Sequence, residues 1–189
     1  MKHILMTSLA ALAVCLMACA QKTDGGAKAT SQQKQSKVMV AYFSASGVTE
    51  AVAEKIASAT GGTIHEIAPA QEYTTADLDW TNDKSRSTIE MKDEKSRPAL
   101  AEPKTDLSAY DTIYIGFPVW WDLAPRVINT FIEGNDLKGK VLIPFATSGG
   151  SSINNSVKDL KRLYPDLNWQ QGKLLNRPSD ATIKAFVGK

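Results

Sequence analysis

Three apolar runs, VMVAYFS (38–44), DTIYIGFPV (111–119) and VLIPFAT (141–147), are each followed by a stretch with helical spacing. That alternation limits the fold more than any other feature of the chain. The runs are rich in β-formers and read as strands. They lack the polar alternation of a strand with one wet face, so both faces must be covered. After the first run, Thr49 to Thr60 carries Val52 and Ile56, and Ala53 and Ala57, at spacings of four, until Gly61-Gly62 stops it. After the second, Val127, Ile128, Phe131 and Ile132 form a stripe ended by Gly134. Pro125 suits the first turn of that helix, with Asp122 or Leu123 near its start. After the third, Ile153, Val157, Leu160 and Leu163 or Tyr164 mark another helix. TIHEIAP (63–69) is a shorter strand and LNWQQGKLL (167–175) a last, poorer one; Ser179 or Asp180 caps a short final helix. Residues 70–109 are polar, with a weak helix around Asp83–Lys95 that stops before Pro98. Strand and helix in alternation predict an α/β fold, a parallel sheet covered by helices. Right-handed crossovers make it doubly wound.

In such sheets a ligand binds beyond the carboxyl ends of the strands, so the loops after Phe43, Phe117 and Phe145 are the places to inspect. The first, SASGVTE (44–50), joins a strand end to a helix start. Unpaired N–H groups and the helix dipole favour an anion there. Ser44, Ser46 and Thr49 add hydroxyls, and Gly47 lets the backbone approach closely. A Walker loop is absent, G-x-G-x-x-G is absent, and no cysteine is present for a phosphatase loop. What remains is a neutral grip on a terminal phosphomonoester; the alternative is a hydroxyl-rich helix cap with no ligand. The second loop, GFPVWWDLAP (116–125), places two adjacent tryptophans at a strand end. One is expected to cover the sheet and the other to offer a flat apolar surface to a planar heterocycle. The third, ATSGGSSINNS (146–156), can turn backbone donors toward the polar edge of a ring system, or be only a flexible loop before a helix.

Taken in order, the three loops resemble those of the flavodoxin-like family. Ser44-Ala45-Ser46-Gly47-Val48-Thr49 matches the phosphate loop [ST]-x-[ST]-G-x-[ST]. Gly116-Phe117-Pro118-Val119-Trp120 matches G-x-P-x-W, and Thr147-Ser148-Gly149-Gly150 matches the third loop. The resemblance spans 37–189 and implies a five-stranded parallel sheet of order 2-1-3-4-5 with flavin mononucleotide (FMN) as cofactor. It implies that Ser44, Ser46, Gly47 and Thr49 hold the phosphate, with Ala45 and Val48 in the same loop. Pro118, Val119, Trp120 and Trp121 would flank the isoalloxazine, and Thr147 to Gly150 would touch its pyrimidine edge. Electron carriers of the family are strongly acidic. This chain has formal net charge +2 and a pI of about 8.4. That departure points to a flavin reductase or a membrane-side redox partner rather than a very low-potential carrier. Tyr73, Trp80, Arg86 and Arg97 are the side chains of 70–109 that could approach the ligand; the alternative is a solvated crossover.

The amino-terminal residues read differently. Ile4 to Met17 is an apolar run too short to be a comfortable permanent span, and it leads into Leu16-Met17-Ala18-Cys19. This resembles a bacterial lipobox, which implies a signal peptide over 1–18 and acylation of Cys19. An ordinary signal peptide or an unprocessed hydrophobic terminus is the alternative. Residues 20–36 hold only small and polar side chains and read as a disordered tether with a reach of roughly 20–25 Å. The domain is then 37–189. Its only histidine is His65, and both cysteines (Cys15, Cys19) lie upstream, so a disulfide, a thiol nucleophile and a Ser-His-Asp triad are not expected. No metal site and no catalytic side chain stand out. Nor is there a basic stripe interleaved with aromatics, so nucleic acid is not an expected partner.

These readings converge on an FMN-binding lipoprotein of the bacterial cell envelope that acts in electron transfer or as an oxidoreductase. Its partners would be quinones, nicotinamide nucleotides or another redox protein. Ala20 rather than aspartate after Cys19 suggests the outer membrane, facing the periplasm or the surface. The alternative functions are a tethered, non-catalytic module that binds FMN or another phospho-ligand and, less favoured, a cofactor-free structural or adhesive domain on the same fold.

Overall fold

The computed structural model describes residues 37–188, so the signal segment, Cys19 and the tether expected from the sequence lie outside the described residues. β1 (Val38–Tyr42), β2 (Thr63–Glu66), β3 (Thr112–Pro118) and β4 (Val141–Thr147) run parallel in the order β2-β1-β3-β4. The fifth position beside β4 is shared by two short pieces, β5 (Asn168–Trp169) and β6 (Lys173–Leu174). The sheet is thus the expected doubly wound 2-1-3-4-5 arrangement, with its last strand broken. Pro144 explains the break. Leu142 and Ala146 direct their carbonyls to Gln170 and Leu175 on that side. By the two-residue period Pro144 faces the same way, and it has no N–H to donate. The single strand expected over 167–175 is interrupted there.

Alternate residues of the central strands feed two cores. Met39, Ala41, Ile113, Ile115, Phe117, Leu142 and Ala146 pack with α3 (Arg126–Gly134) and α4 (Asn154–Leu163). Val40, Tyr42, Tyr114 and Phe145 pack with α1 (Val48–Thr60) and α5 (Asp180–Val187). α1 buries Val52, Ala53 and Ile56, the stripe expected from its spacing, and ends on Gly61. α3 begins one turn later than expected. Pro125 is its N-cap, while Asp122 and Leu123 belong to a tight turn before it. A short helix, α2 (Arg86–Lys92), occupies part of the polar crossover, capped by the Ser85 side chain on the Thr88 N–H.

Two contacts bring the strand ends together. Gly116 stands between Tyr42 and Phe145 in register, and the Phe145 ring occupies the space where a side chain would be; a Cβ there would lie 2.1 Å from Cζ. At the same end of the sheet, the Thr49 and Thr147 hydroxyls meet at 2.8 Å, both buried, and tie the start of α1 to the end of β4.

Gly116→Ala should therefore force the Phe145 ring out of place and lower stability by about 2–3 kcal/mol, read as a fall in the urea midpoint without a change in slope. Thr49→Val should strand the Thr147 hydroxyl and cost about 1–2 kcal/mol; a denaturation curve that matches wild type would remove that pair from the account.

Candidate functional site

The first loop leaves β1 and enters α1 through Gly47, whose φ of 77° places it in the left-handed region that glycine tolerates. Gly47 is the N-cap and supplies no side chain, so the first-turn amides have no cap. Intrahelical bonding begins at Ala51 N–H to Gly47 O, which leaves the amides of Val48, Thr49 and Glu50 without helical acceptors. Beside them the Ser44 hydroxyl is buried and has no hydrogen-bond partner among the described residues. Ser46 is exposed. Donors gathered at an uncapped helix start suit an anion. Glu50 in the first turn accepts from the Tyr42 hydroxyl at 3.2 Å. Burial first, then the Glu50 and Glu66 carboxylates, push that phenol up to about 12.

The second loop leaves β3 at Pro118. Trp120 and Leu123 exchange backbone hydrogen bonds at 3.0 and 2.9 Å around Trp121 and Asp122. Both central residues have positive φ, 47° and 63°, which costs on the order of 1–3 kcal/mol for side chains of this kind. The buried Ser156 hydroxyl donates to Asp122 O at 2.9 Å and fixes the turn. The two tryptophans consequently separate. Trp120 is half-buried, edge-on to Phe43 (5.5 Å) and to Tyr73 (5.3 Å), whereas the side chain of Trp121 stays 44% exposed.

The third loop, after Thr147, is held by a residue from another part of the chain. Asn176 accepts from Ser148 N–H at 2.9 Å and donates to Ser148 O at 2.8 Å. The Ser148 hydroxyl in turn accepts from Gly150 and Ser151 N–H. Asn176 had no motif to mark it in the sequence; its role follows from β6 pairing with β4, which brings 175–177 beside the loop.

Between the three loops lies a cavity of about 610 Å3. Ala45 and Ser46 line it from the first loop, Pro118 to Trp121 from the second, and Ser148 to Ser151 from the third. The crossover contributes a further wall: Leu78, Trp80 and Ser87. None of these lining residues carries a charge. Gly47 and Val48 instead border a neighbouring groove, shared with Ser46, that also meets Lys55 and Arg177. Thr49 and Thr147 line neither, since they bond to each other behind the loops. Of Tyr73, Trp80, Arg86 and Arg97, Trp80 reaches the cavity rim, 75% exposed. Tyr73 packs behind it on Phe43 and Trp120. Arg86 lies 4.0 Å over the Tyr73 ring and pairs with Glu90, and Arg97 turns away to Glu133. Burial, then the hydrogen bond to Glu90, raises the Tyr73 phenol far above its usual value. Ser87 was not foreseen: its neighbours in sequence are polar, and only the tertiary packing buries it.

The arrangement offers anion-binding donors at one end and a flat, uncharged, aromatic-walled space at the other. It fits a phosphorylated planar heterocycle, and the unpartnered Ser44 hydroxyl marks where the phosphate would complete the bonding. Among the described residues no cluster of His, Cys, Asp or Glu is placed to hold a metal, and no helix is long and apolar enough to cross a membrane.

Comparison with known proteins agrees with this fold. A family model described as flavodoxin matches residues 37–189. A crystal structure of a candidate flavoprotein from Bacteroides uniformis ATCC 8492 is 56% identical, covers 82% of this chain and 99% of its own, and superposes with a TM-score of 0.80. Another, from Bacteroides eggerthii DSM 20697, is 59% identical over 81% of this chain and 96% of its own, with a TM-score of 0.79. A flavoprotein from Lactobacillus acidophilus NCFM, crystallised in complex with FMN, shares the fold at 24% identity and a TM-score of 0.60, covering 80% of this chain and 98% of its own. No curated protein matches the chain. A match over the whole domain, joined to this strand order, places the chain in the flavodoxin family.

Proposed function

We propose that this protein binds FMN and exchanges electrons through it, tethered to the bacterial cell envelope by a lipid on Cys19. The observation that carries the reading is an uncapped helix start, preceded by the buried, unpartnered Ser44 hydroxyl, whose loop neighbours Ala45 and Ser46 line a cavity walled by tryptophan. The FMN complex of the Lactobacillus acidophilus protein, which has the same fold, supports it. When bound, FMN supplies one- and two-electron oxidation–reduction chemistry. The chain supplies grip, orientation and an uncharged surround.

Ser44, Ser46 and the amides of Val48, Thr49 and Glu50 hold the phosphate through charge-assisted hydrogen bonds. Gly47 keeps the approach clear, and the Thr49–Thr147 pair braces the loop from behind. Trp121 and Trp120, with Pro118 and Val119, flank the ring. The backbone of Ser148 to Gly150, set by Asn176, addresses its polar edge. No carboxylate lines the cavity, so its walls would oppose an anionic reduced flavin less than an acid-lined site would. This favours a flavin reductase, or a carrier serving a membrane-side partner, over a very low-potential carrier. Quinones, nicotinamide nucleotides and another redox protein are the partner classes. The signal-like segment and Ala20 after Cys19 support an outer-membrane location facing the periplasm or the surface. A chain exported unfolded would acquire FMN outside the inner membrane.

The purified protein should be yellow, or turn yellow with added FMN, and should release flavin on heating; a colourless protein that takes up none sinks the reading. Ser44→Ala and Ser46→Ala should each weaken FMN about tenfold and leave riboflavin within about twofold, because only FMN carries the phosphate. Fluorescence titrations showing equal losses for both ligands would remove the phosphate from this loop.

A further inference from the structure

We propose that the crossover between β2 and β3 forms a fourth wall of the flavin site, in which the Ser87 hydroxyl hydrogen-bonds the part of the ligand that FMN and riboflavin share. This rests on the FMN reading above and extends it to an element outside the three strand-end loops. Ser87 is 2% exposed, lines the cavity, and its hydroxyl has no partner among the described residues. Its own N–H is already taken by Asp77 O at 3.0 Å. The adjacent hydroxyls are satisfied within the cap: Ser85 donates to Thr88 at 2.8 Å and accepts from its N–H. A serine further along a helix can bond the carbonyl four residues back. At Ser87 that residue is Asp83, which precedes the helix, so this outlet is closed. A buried hydroxyl left unsatisfied is destabilising, and such groups in folded proteins call for a partner. The cavity that Ser87 lines offers such a partner its place.

The wall is held rigidly against the second loop. Tyr73 contacts both Phe43 and Trp120 and donates to Glu90. Arg86, next to Ser87, lies over the Tyr73 ring, bonds Glu90 at 2.6 Å and Gln71 O at 2.7 Å. The hydroxyl therefore has a fixed position relative to the tryptophans rather than that of a loose surface group. Its neighbours on the cavity, Leu78 and Trp80, are uncharged and largely apolar. Such a wall suits the uncharged ring or the ribityl chain, at a carbonyl, ring nitrogen or hydroxyl, and does not suit the phosphate.

The test is titration of full-length Ser87→Ala protein with FMN and with riboflavin, followed by flavin fluorescence. Both dissociation constants should rise by about five- to tenfold and by the same factor. The unfolding midpoint without ligand should be unchanged or raised, which separates loss of a ligand contact from loss of structure. Unchanged affinity for both ligands overturns the proposal, and so does a loss confined to FMN, which would make Ser87 a phosphate contact. A wild-type protein that binds neither flavin overturns the FMN reading itself, and this proposal with it.

Discussion

The ring of Phe145 lying across Gly116 is the contact on which the rest of this architecture depends. It lets β1, β3 and β4 end side by side, with Tyr42, Gly116 and Phe145 in one row across the sheet. Because those strands are parallel, all three deliver their loops to the same edge. Each loop then brings a different chemistry: hydroxyls and free amides, indoles, and a glycine-rich backbone. The site is thus a consequence of sheet packing before it is a set of binding residues.

The loops are not independent once formed. Thr49 reaches Thr147, Val119 N–H reaches Thr147 O, and Ser156 reaches Asp122 O. These bonds link the first loop to the third, the third to the second, and the second to α4. Tyr73 adds the crossover to the same assembly through Trp120. The left-handed backbone at Trp121 and Asp122 is sustained by this surrounding structure, and it directs one indole toward the cavity while its neighbour supports the core.

Much of this was legible in the sequence, for a physical reason. Strands buried on both faces must be apolar throughout, and helices over a sheet must carry a stripe, so 38–44, 111–119, 141–147 and the helix after each could be read directly. The three loops stood out because their composition is unusual for a strand end. What was not legible depends on contacts distant in sequence. Ser87 looks like any serine in a polar stretch until Tyr73, Arg86 and Glu90 fold the crossover over it. Asn176 has no signature; it matters because β6 aligns with β4. The late start of α3 reflects a turn whose first central residue, tryptophan, is a poor advertisement for positive φ. The break in the fifth strand was in plain view as Pro144, but which neighbour that proline faces is decided only by the register.

The Asn176 clamp bears on the order in which this molecule becomes competent. Residues 173–180 follow all three loops along the chain, yet the backbone of Ser148 is set by a side chain among them. Lys55 on α1 also grips Pro178 O at 3.0 Å, so the same turn is fastened to the first loop's helix. A polypeptide emerging from its amino end could assemble the central strands and still lack a finished coenzyme seat. The seat would be finished only once residues 173–178 lie beside β4, which makes the tail of the domain a late-closing latch on its own chemistry.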